Sequence, residues 1–286
     1  MRRLILVFAV VGVAVLLASG AALAITGGFA DVKDPTTGQF KYPNVGALVG
    51  SDGDGTYTYC TGTLISPRVF LTAAHCAPLT GDAVSFDNTL NPKDNPNPTL
   101  YSICRGSGCI DTDQDGYPDN FDGRYKADPN GYDIAAVKFN EPIQGITPAR
   151  LPSFHRFDRV AKDQKFTAVG YGEQGGTSTV YDIRTYATST FKSISQDYLR
   201  LSQNLNQGDG GTCYGDSGGP NFFRAAVSGD ETDVIAGITN TGDTWCKATN
   251  VTLRLDNEAA RTFLSSNFLK DESGDPLVTL PTERTP

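Results

Sequence analysis

The sequence predicts an all-β protein, a barrel or sandwich finished by one C-terminal helix, and three observations carry that reading. From residue 46 onward, short runs rich in Val, Leu, Ile, Thr and Tyr, such as 46–50, 62–66 and 134–139, alternate with clusters of Gly, Asp, Asn and Pro. That is the rhythm of short strands joined by turns. A helical period is convincing only near the end, where Ala260, Phe263, Leu264 and Phe268 share one face of the stretch 257–268 and Asp256 is placed to cap it. The 286 residues, 39% apolar and 20% charged, are enough to bury a sizeable core in one or two domains, and they exclude collagen-like, coiled-coil and wholly disordered chains. A net charge of −8 argues against a broad electrostatic footprint for nucleic acid.

Taken in order, the chain begins Met1-Arg2-Arg3, continues with an apolar run from Leu4 to Ala18 and reaches small residues ending Ala22-Leu23-Ala24. A charged head, an apolar middle and an A-x-A site predict a secretory signal peptide over 1–24. An uncleaved membrane anchor is the alternative, and the small residues at the cleavage position weigh against it. Removal of 1–24 takes away two arginines and leaves a more acidic chain with no second hydrophobic stretch, expected to be secreted and free of the membrane. In an exported chain Cys60, Cys76, Cys104, Cys109, Cys213 and Cys246 read as three disulfides, for which spacing alone allows 15 pairings. With no C-x-x-C pair and only His75 and His155 as imidazoles, a structural zinc cluster is not expected. Residues 271–286 turn polar, with Pro276, Pro281 and Pro286, and are expected to form a flexible tail.

Three separated segments hold the groups for nucleophilic acyl transfer: Thr72-Ala73-Ala74-His75-Cys76, Tyr132-Asp133-Ile134-Ala135 and Gly215-Asp216-Ser217-Gly218-Gly219-Pro220. A serine hydroxyl attacks well only when an imidazole takes its proton, and the imidazole must be oriented by a carboxylate. Glycines around Ser217 let the backbone approach a substrate, so that the N–H groups of Gly215 and Ser217 can bind a developing oxyanion.

In T-A-A-H-C, D-I-A-A-V and G-D-S-G-G-P, occurring in this order, the chain resembles the trypsin/chymotrypsin family of serine proteases from Ile25 to near Leu269. The resemblance implies two antiparallel β-barrels, the first over 25–146 and the second, with the helix, over 147–270. It implies that His75 is general base and acid, that Asp133 orients it and that Ser217 is the nucleophile. It pairs Cys60 with Cys76 and Cys213 with Cys246, which leaves Cys104 for Cys109. His155 is expected to be a surface residue between the barrels.

The same resemblance frames the substrate pocket around Gly211, Thr212, Gly242 and Asn250. Trypsin-like members carry an aspartate at the position of Gly211, so the neutral residue here argues against basic P1 side chains. No histidine occurs in 238–242, as glutamate-specific relatives would require, and Gly242 matches a position that keeps the mouth open. A medium or large apolar P1 residue is the expectation. Asn240 replaces a serine that usually bonds the triad aspartate, and its amide can donate a similar bond. Thr241 replaces a common tryptophan of the substrate platform.

Cleavage after Ala24 exposes Ile25-Thr26-Gly27-Gly28, similar to the family's activated terminus, whose α-ammonium pairs with the aspartate before the catalytic serine, here Asp216. Signal cleavage would then be the activating step. Between His75 and Asp133 lies an insert, near 104–122, in which Asp111, Asp113, Asp115, Asp119 and Asp122 occupy positions 1, 3, 5, 9 and 12, with Gly116 at the turn and Tyr117 offering a carbonyl. That spacing predicts a calcium loop, similar to thrombospondin type 3 repeats, with Ca²⁺ in a structural role and no cofactor needed for catalysis. The sequence thus reads as a secreted, monomeric serine endopeptidase acting on polypeptides. The alternative is a catalytically silent or latent homologue that binds proteins through a calcium-stabilised surface.

Overall fold

The computed structural model describes residues 25–52, 55–115, 117–173, 182–224, 231–271 and 274–282. The signal peptide expected over 1–24, Gly116 of the acidic loop and residues 283–286 of the expected tail lie outside the described residues. A two-residue strand, β1 (Phe29–Ala30), precedes a closed barrel of β2 (Val45–Asp52), β3 (Gly55–Ser66), β4 (Val69–Thr72), β5 (Ala83–Ser85), β6 (Tyr101–Arg105), β7 (Gly123–Ala127) and β8 (Ala135–Phe139), ordered β2-β3-β4-β8-β7-β6-β5. The second barrel contains β9 (Lys165–Gly170), β10 (Thr185–Ile194), β11 (Tyr198–Ser202), β12 (Pro220–Arg224), β13 (Glu231–Gly242) and β14 (Thr249–Arg254), closed by pairing of β9 with β10. Helix α1 (Glu258–Phe268) follows.

Alternation puts one face of each strand inward. Leu48, Leu64, Phe70, Val84, Val137 and Phe139 belong to one buried cluster, from the first barrel, while Phe166, Leu199, Leu201 and Ala236 belong to another, from the second. A third cluster joins Leu71 of the first barrel, Val169 and Leu253 of the second and the helix face of Phe263, Leu264 and Phe268. Arg184 fastens the same junction. It is fully buried, pairs with Asp31 at 2.8 Å and donates to the carbonyls of Val45 and Phe86 and to Tyr171 Oη.

The structure departs from the sequence reading in four places. Strands β6 and β7 run parallel, because the insert between them is long enough to cross over and return in the same direction. Residues 25–30, assigned to the first barrel, attach to the second: Thr26 pairs with Gly211, and β1 with β10. The helix is capped by Asn257, which accepts from Ala260 N at 3.0 Å, and not by Asp256, whose carboxylate holds Arg254 and Phe157 N. The tail is docked over 274–282: Leu277 and Val278 are buried in the inter-barrel cluster, and Leu277 N donates to Leu269 O. Burial of these two apolar residues favours the docked state over a mobile one. Among the described residues no helix is long and apolar enough to cross a membrane.

Candidate active site

His75 sits on a single 3₁₀ turn, Ala74–Cys76, just after β4, ended by Ala77 in a left-handed conformation (φ 37°). The Cys60–Cys76 disulfide ties this turn to β3, and Tyr125 Oη donates to Ala74 O at 2.9 Å. Asp133, just before β8, grips the turn with both oxygens: Oδ1 accepts from His75 N at 2.8 Å and Oδ2 lies 2.7 Å from His75 Nδ1. Burial raises the pKa of Asp133, but its bonds to the His75 ring and amide outweigh burial and hold the carboxyl below its usual range. An ionised Asp133 keeps the proton on Nδ1, which leaves Nε2 as the basic nitrogen.

Ser217 lies in the turn that leads into β12 and shares a cleft of about 520 Å³ with His75 and Asp133. Among the described residues its hydroxyl has no hydrogen bond to His75. The turn is shaped by glycine. Gly218 has φ 80°, and a Cβ there would stand 2.2 Å from Thr72 Oγ1 and 2.5 Å from Thr61 O. Asp216 N, Gly218 N and Gly219 N donate to protein carbonyls, whereas among the described residues Gly215 N and Ser217 N have no protein acceptor. Two free N–H groups beside a serine hydroxyl are what an oxyanion needs.

Thr61 was not singled out in the sequence. Its N–H donates to Ser217 O at 2.9 Å and its Oγ1 to Gly215 O at 2.9 Å, so one buried residue of the first barrel sets the serine turn of the second. Its position directly after Cys60 was the only available signal.

Asp216 is fully buried. Its carboxylate accepts from Gly172 N and Cys213 N, each at 2.8 Å, and burial, only partly offset by these bonds, pushes its pKa up to about 7. Ile25 is also fully buried, but in this chain, which still carries residues ahead of it, its N–H donates to Thr185 Oγ1 at 3.0 Å. The two residues converge on Gly170: Thr185 Oγ1 bonds Gly170 O, and a Cβ on Gly170 would stand 2.1 Å from Asp216 Oδ1.

Of the four expected pocket residues, Thr212 and Gly242 line the cleft and two do not. Asn250 is fully buried away from it, where its Nδ2 donates to Asn221 Oδ1 at 2.9 Å within a polar network of the second barrel. Gly211 is covered by Gln203: a Cβ on Gly211 would lie 2.2 Å from Gln203 Oε1. Asn240 lines the cleft at a bulge between β13 and β14, yet its Nδ2 is buried without a hydrogen-bond partner, so it does not support Asp133 as expected. Tyr214, Asp243 and Thr244 complete the rim, and Trp245, 69% exposed, stands beside them next to Cys246. A larger cavity of about 730 Å³ is lined by Lys162, Lys165, Lys192 and Lys247 and holds none of the three catalytic candidates.

In the insert, carboxylate oxygens of Asp111, Asp113 and Asp115 lie within 4.8 Å of one another, and Asp111 also meets Arg124 at 3.3 Å. Asp119 and Asp122 are engaged elsewhere, by Thr112 N and by the N–H and Oγ of Ser102. The ring of Tyr117 lies under Lys138 Nζ at 3.8 Å. All three disulfides form with the expected partners: Cys60–Cys76, Cys104–Cys109 and Cys213–Cys246. His155 is exposed and pairs with Asp158 at 2.9 Å.

Comparison with known proteins identifies the family and the fold. The chain is similar to the clotting factor G beta subunit of Tachypleus tridentatus, 23% identical over 195 residues that make up 59% of each chain, so the match spans less than two thirds of that relative. Among solved structures it is similar to human heparin binding protein (TM-score 0.59, 16% identity, 85% of this chain and 96% of that one) and to an atomic-resolution structure of HBP (TM-score 0.60, 15% identity, the same coverage), a likeness of fold. The sequence profile of the family named Trypsin matches residues 33–256, most of the chain, and the chain belongs to the trypsin family.

Proposed function

We propose that this protein is a secreted serine endopeptidase. The observation that carries the reading is the His75–Asp133 pair facing a cleft that also holds Ser217 and the two unengaged amides of Gly215 and Ser217. In the reaction, Ser217 Oγ attacks the scissile carbonyl of a bound polypeptide while His75 Nε2 takes its proton, and Asp133 steadies the imidazolium through Nδ1. The amides of Gly215 and Ser217 receive the negative charge on the carbonyl oxygen. His75 then gives its proton to the leaving amine, and water repeats the sequence on the acyl-enzyme. Three disulfides fit passage through an oxidising compartment.

Activation follows from the N-terminal segment. Cleavage before Ile25 creates an ammonium at a site already buried near Asp216, a carboxyl that has no cationic partner among the described residues and whose pKa burial raises. The new ion pair holds the segment 213–217 in its working shape. Calcium belongs to the insert, where Asp111, Asp113 and Asp115 would hold it; the ion would supply charge compensation that keeps the insert folded. Asp119 and Asp122, engaged by protein donors, fit that role less well. Calcium is expected to raise Tm by a few degrees over EDTA, and an unchanged Tm contradicts the site.

Incubation of the chain beginning at Ile25 with a mixture of unfolded proteins tests the main reading. Digestion that an organophosphorus reagent abolishes is expected. Absence of digestion favours the protein-binding alternative.

A further inference from the structure

Gly242, in the cleft lining, and Gly211, outside it, both lack side chains, and one buried amide lies against both. Gln203 follows β11, is fully buried and is fixed by its own N–H to Ala248 O at 3.1 Å. Its side chain occupies the space that a residue larger than glycine at 211 would fill, since a Cβ there would meet Oε1 at 2.2 Å and Cδ at 2.8 Å. At the far end a Cβ on Gly242, which lines the cleft, would sit 3.9 Å from Gln203 Nε2, an ordinary van der Waals distance. Oε1 accepts from the cleft residue Thr212 through Oγ1 at 3.4 Å, while Nε2 is buried without a hydrogen-bond partner among the described residues.

A buried amide donor left unpaired costs free energy that a ligand acceptor recovers. We infer that Gln203 sets the P1 preference of the proposed peptidase, an inference that rests on the serine-protease reading, and that the favoured P1 residue carries a side-chain carboxamide, glutamine or asparagine. The carbonyl oxygen of the P1 side chain accepts from Gln203 Nε2, and the amide nitrogen of that side chain donates to the second lone pair of Gln203 Oε1, so that the two carboxamides pair reciprocally. An apolar P1 side chain leaves Nε2 unsatisfied. A carboxylate offers the acceptor but enters a cleft that already holds Asp133 and Asp243, both with pKa values below the usual range and therefore ionised. A lysine or arginine finds no carboxylate at Gly211 and, as a donor only, offers Gln203 Nε2 no acceptor. The large apolar P1 residue expected from Gly211 and Gly242 alone gives way to a polar one, because the space between those glycines is filled.

The test is a set of peptide substrates identical except at P1, with Gln, Asn, Met, Leu, Glu, Asp, Phe and Lys, cleaved by the chain beginning at Ile25. Gln or Asn is expected to exceed its near-isosteres Met or Leu, and Glu or Asp, in kcat/KM by about ten-fold or more. In Gln203→Met that order is expected to reverse toward Met and Leu. Gln203→Glu, which keeps the shape but replaces the donor with an acceptor, is expected to lose the carboxamide preference and gain cleavage after Lys. A wild-type preference for Met, Leu or Phe, or for Lys, overturns the inference, as does a P1 profile that neither variant changes. Labelling of Ser217 by a small organophosphorus reagent separates the two levels. A labelled enzyme without carboxamide preference removes only the role of Gln203, whereas an unlabelled wild-type chain removes the protease reading and this inference with it.

Discussion

The side of the cleft proposed for catalysis and the side proposed for specificity are assembled differently. His75, Asp133 and Ser217 each arrive on a short local motif, and long-range contacts hold them: Asp133 grips His75, the Cys60–Cys76 disulfide ties the histidine turn to β3, and Thr61 and Thr239 bond the serine turn. The specificity side is formed by absent side chains at Gly211 and Gly242 and by Gln203, which comes from a separate strand end to fill the gap. In the proposed peptidase, chemistry on one side is set by what each residue is, and selectivity on the other by which neighbour enters an empty volume.

Removing the nucleophile breaks the catalytic side outright. Ser217→Ala is expected to lower kcat by about 10⁶ in a peptide hydrolysis assay. Thermal unfolding should place its stability within about 0.5 kcal/mol of wild type, since among the described residues the hydroxyl makes no hydrogen bond. Next in size is Arg184→Met, which leaves Asp31 buried opposite an apolar side chain and is expected to cost about 3–5 kcal/mol by urea denaturation. That loss would loosen both sides together, because Arg184 bonds to Val45 and Phe86 of one barrel region and to Tyr171 of the other.

Asp216 offers a pH test of the uncut chain. Its folded pKa, about 7, lies above the ordinary 3.8, so between roughly pH 4 and 7 the folded state keeps a proton that the unfolded state has released. Stability should therefore fall as pH rises through that window, by at most about 1.4 kcal/mol per unit, and level off above it. The difference in stability between wild type and Asp216→Asn, followed against pH, isolates this contribution. In the chain cut before Ile25 the ammonium favours the anion, and the fall should disappear. The smallest effect is expected for Thr61→Val, which keeps the N–H bond to Ser217 O but loses the hydroxyl's bond to Gly215 O and the one it accepts from Tyr171 N. A loss of about 1 kcal/mol in stability, with a modest drop in kcat and little change in KM, would mark it as a positioning residue.

These contrasts explain what could be read from the sequence. The residues proposed as a triad stood out because G-D-S-G-G-P and T-A-A-H-C are local and specific, and the strand rhythm and helix face were legible because burial follows their periods. Gln203 was not, since nothing in Leu201-Ser202-Gln203 indicates that a glycine eight residues later leaves room for it. The position of Asn250 failed for a related reason: its alignment suggested a pocket wall, but the strand register of β13 with β14 places it opposite Gly242 and bonds it to Asn221. The docked tail was missed because its prolines and charges dominate the composition, while among the described residues Leu277, Val278 and Leu280 pack against the core. In the insert, ligand spacing marked six residues, but the folded loop gathers three carboxylates, because Asp119 and Asp122 serve nearby backbone and hydroxyl donors.

The most direct test of the central claim is the intact mass of the secreted protein before and after an organophosphorus reagent selective for activated serines. The account predicts a starting mass that begins at Ile25 and a single adduct mapped to Ser217. A terminus at Ile25 with no adduct would contradict it.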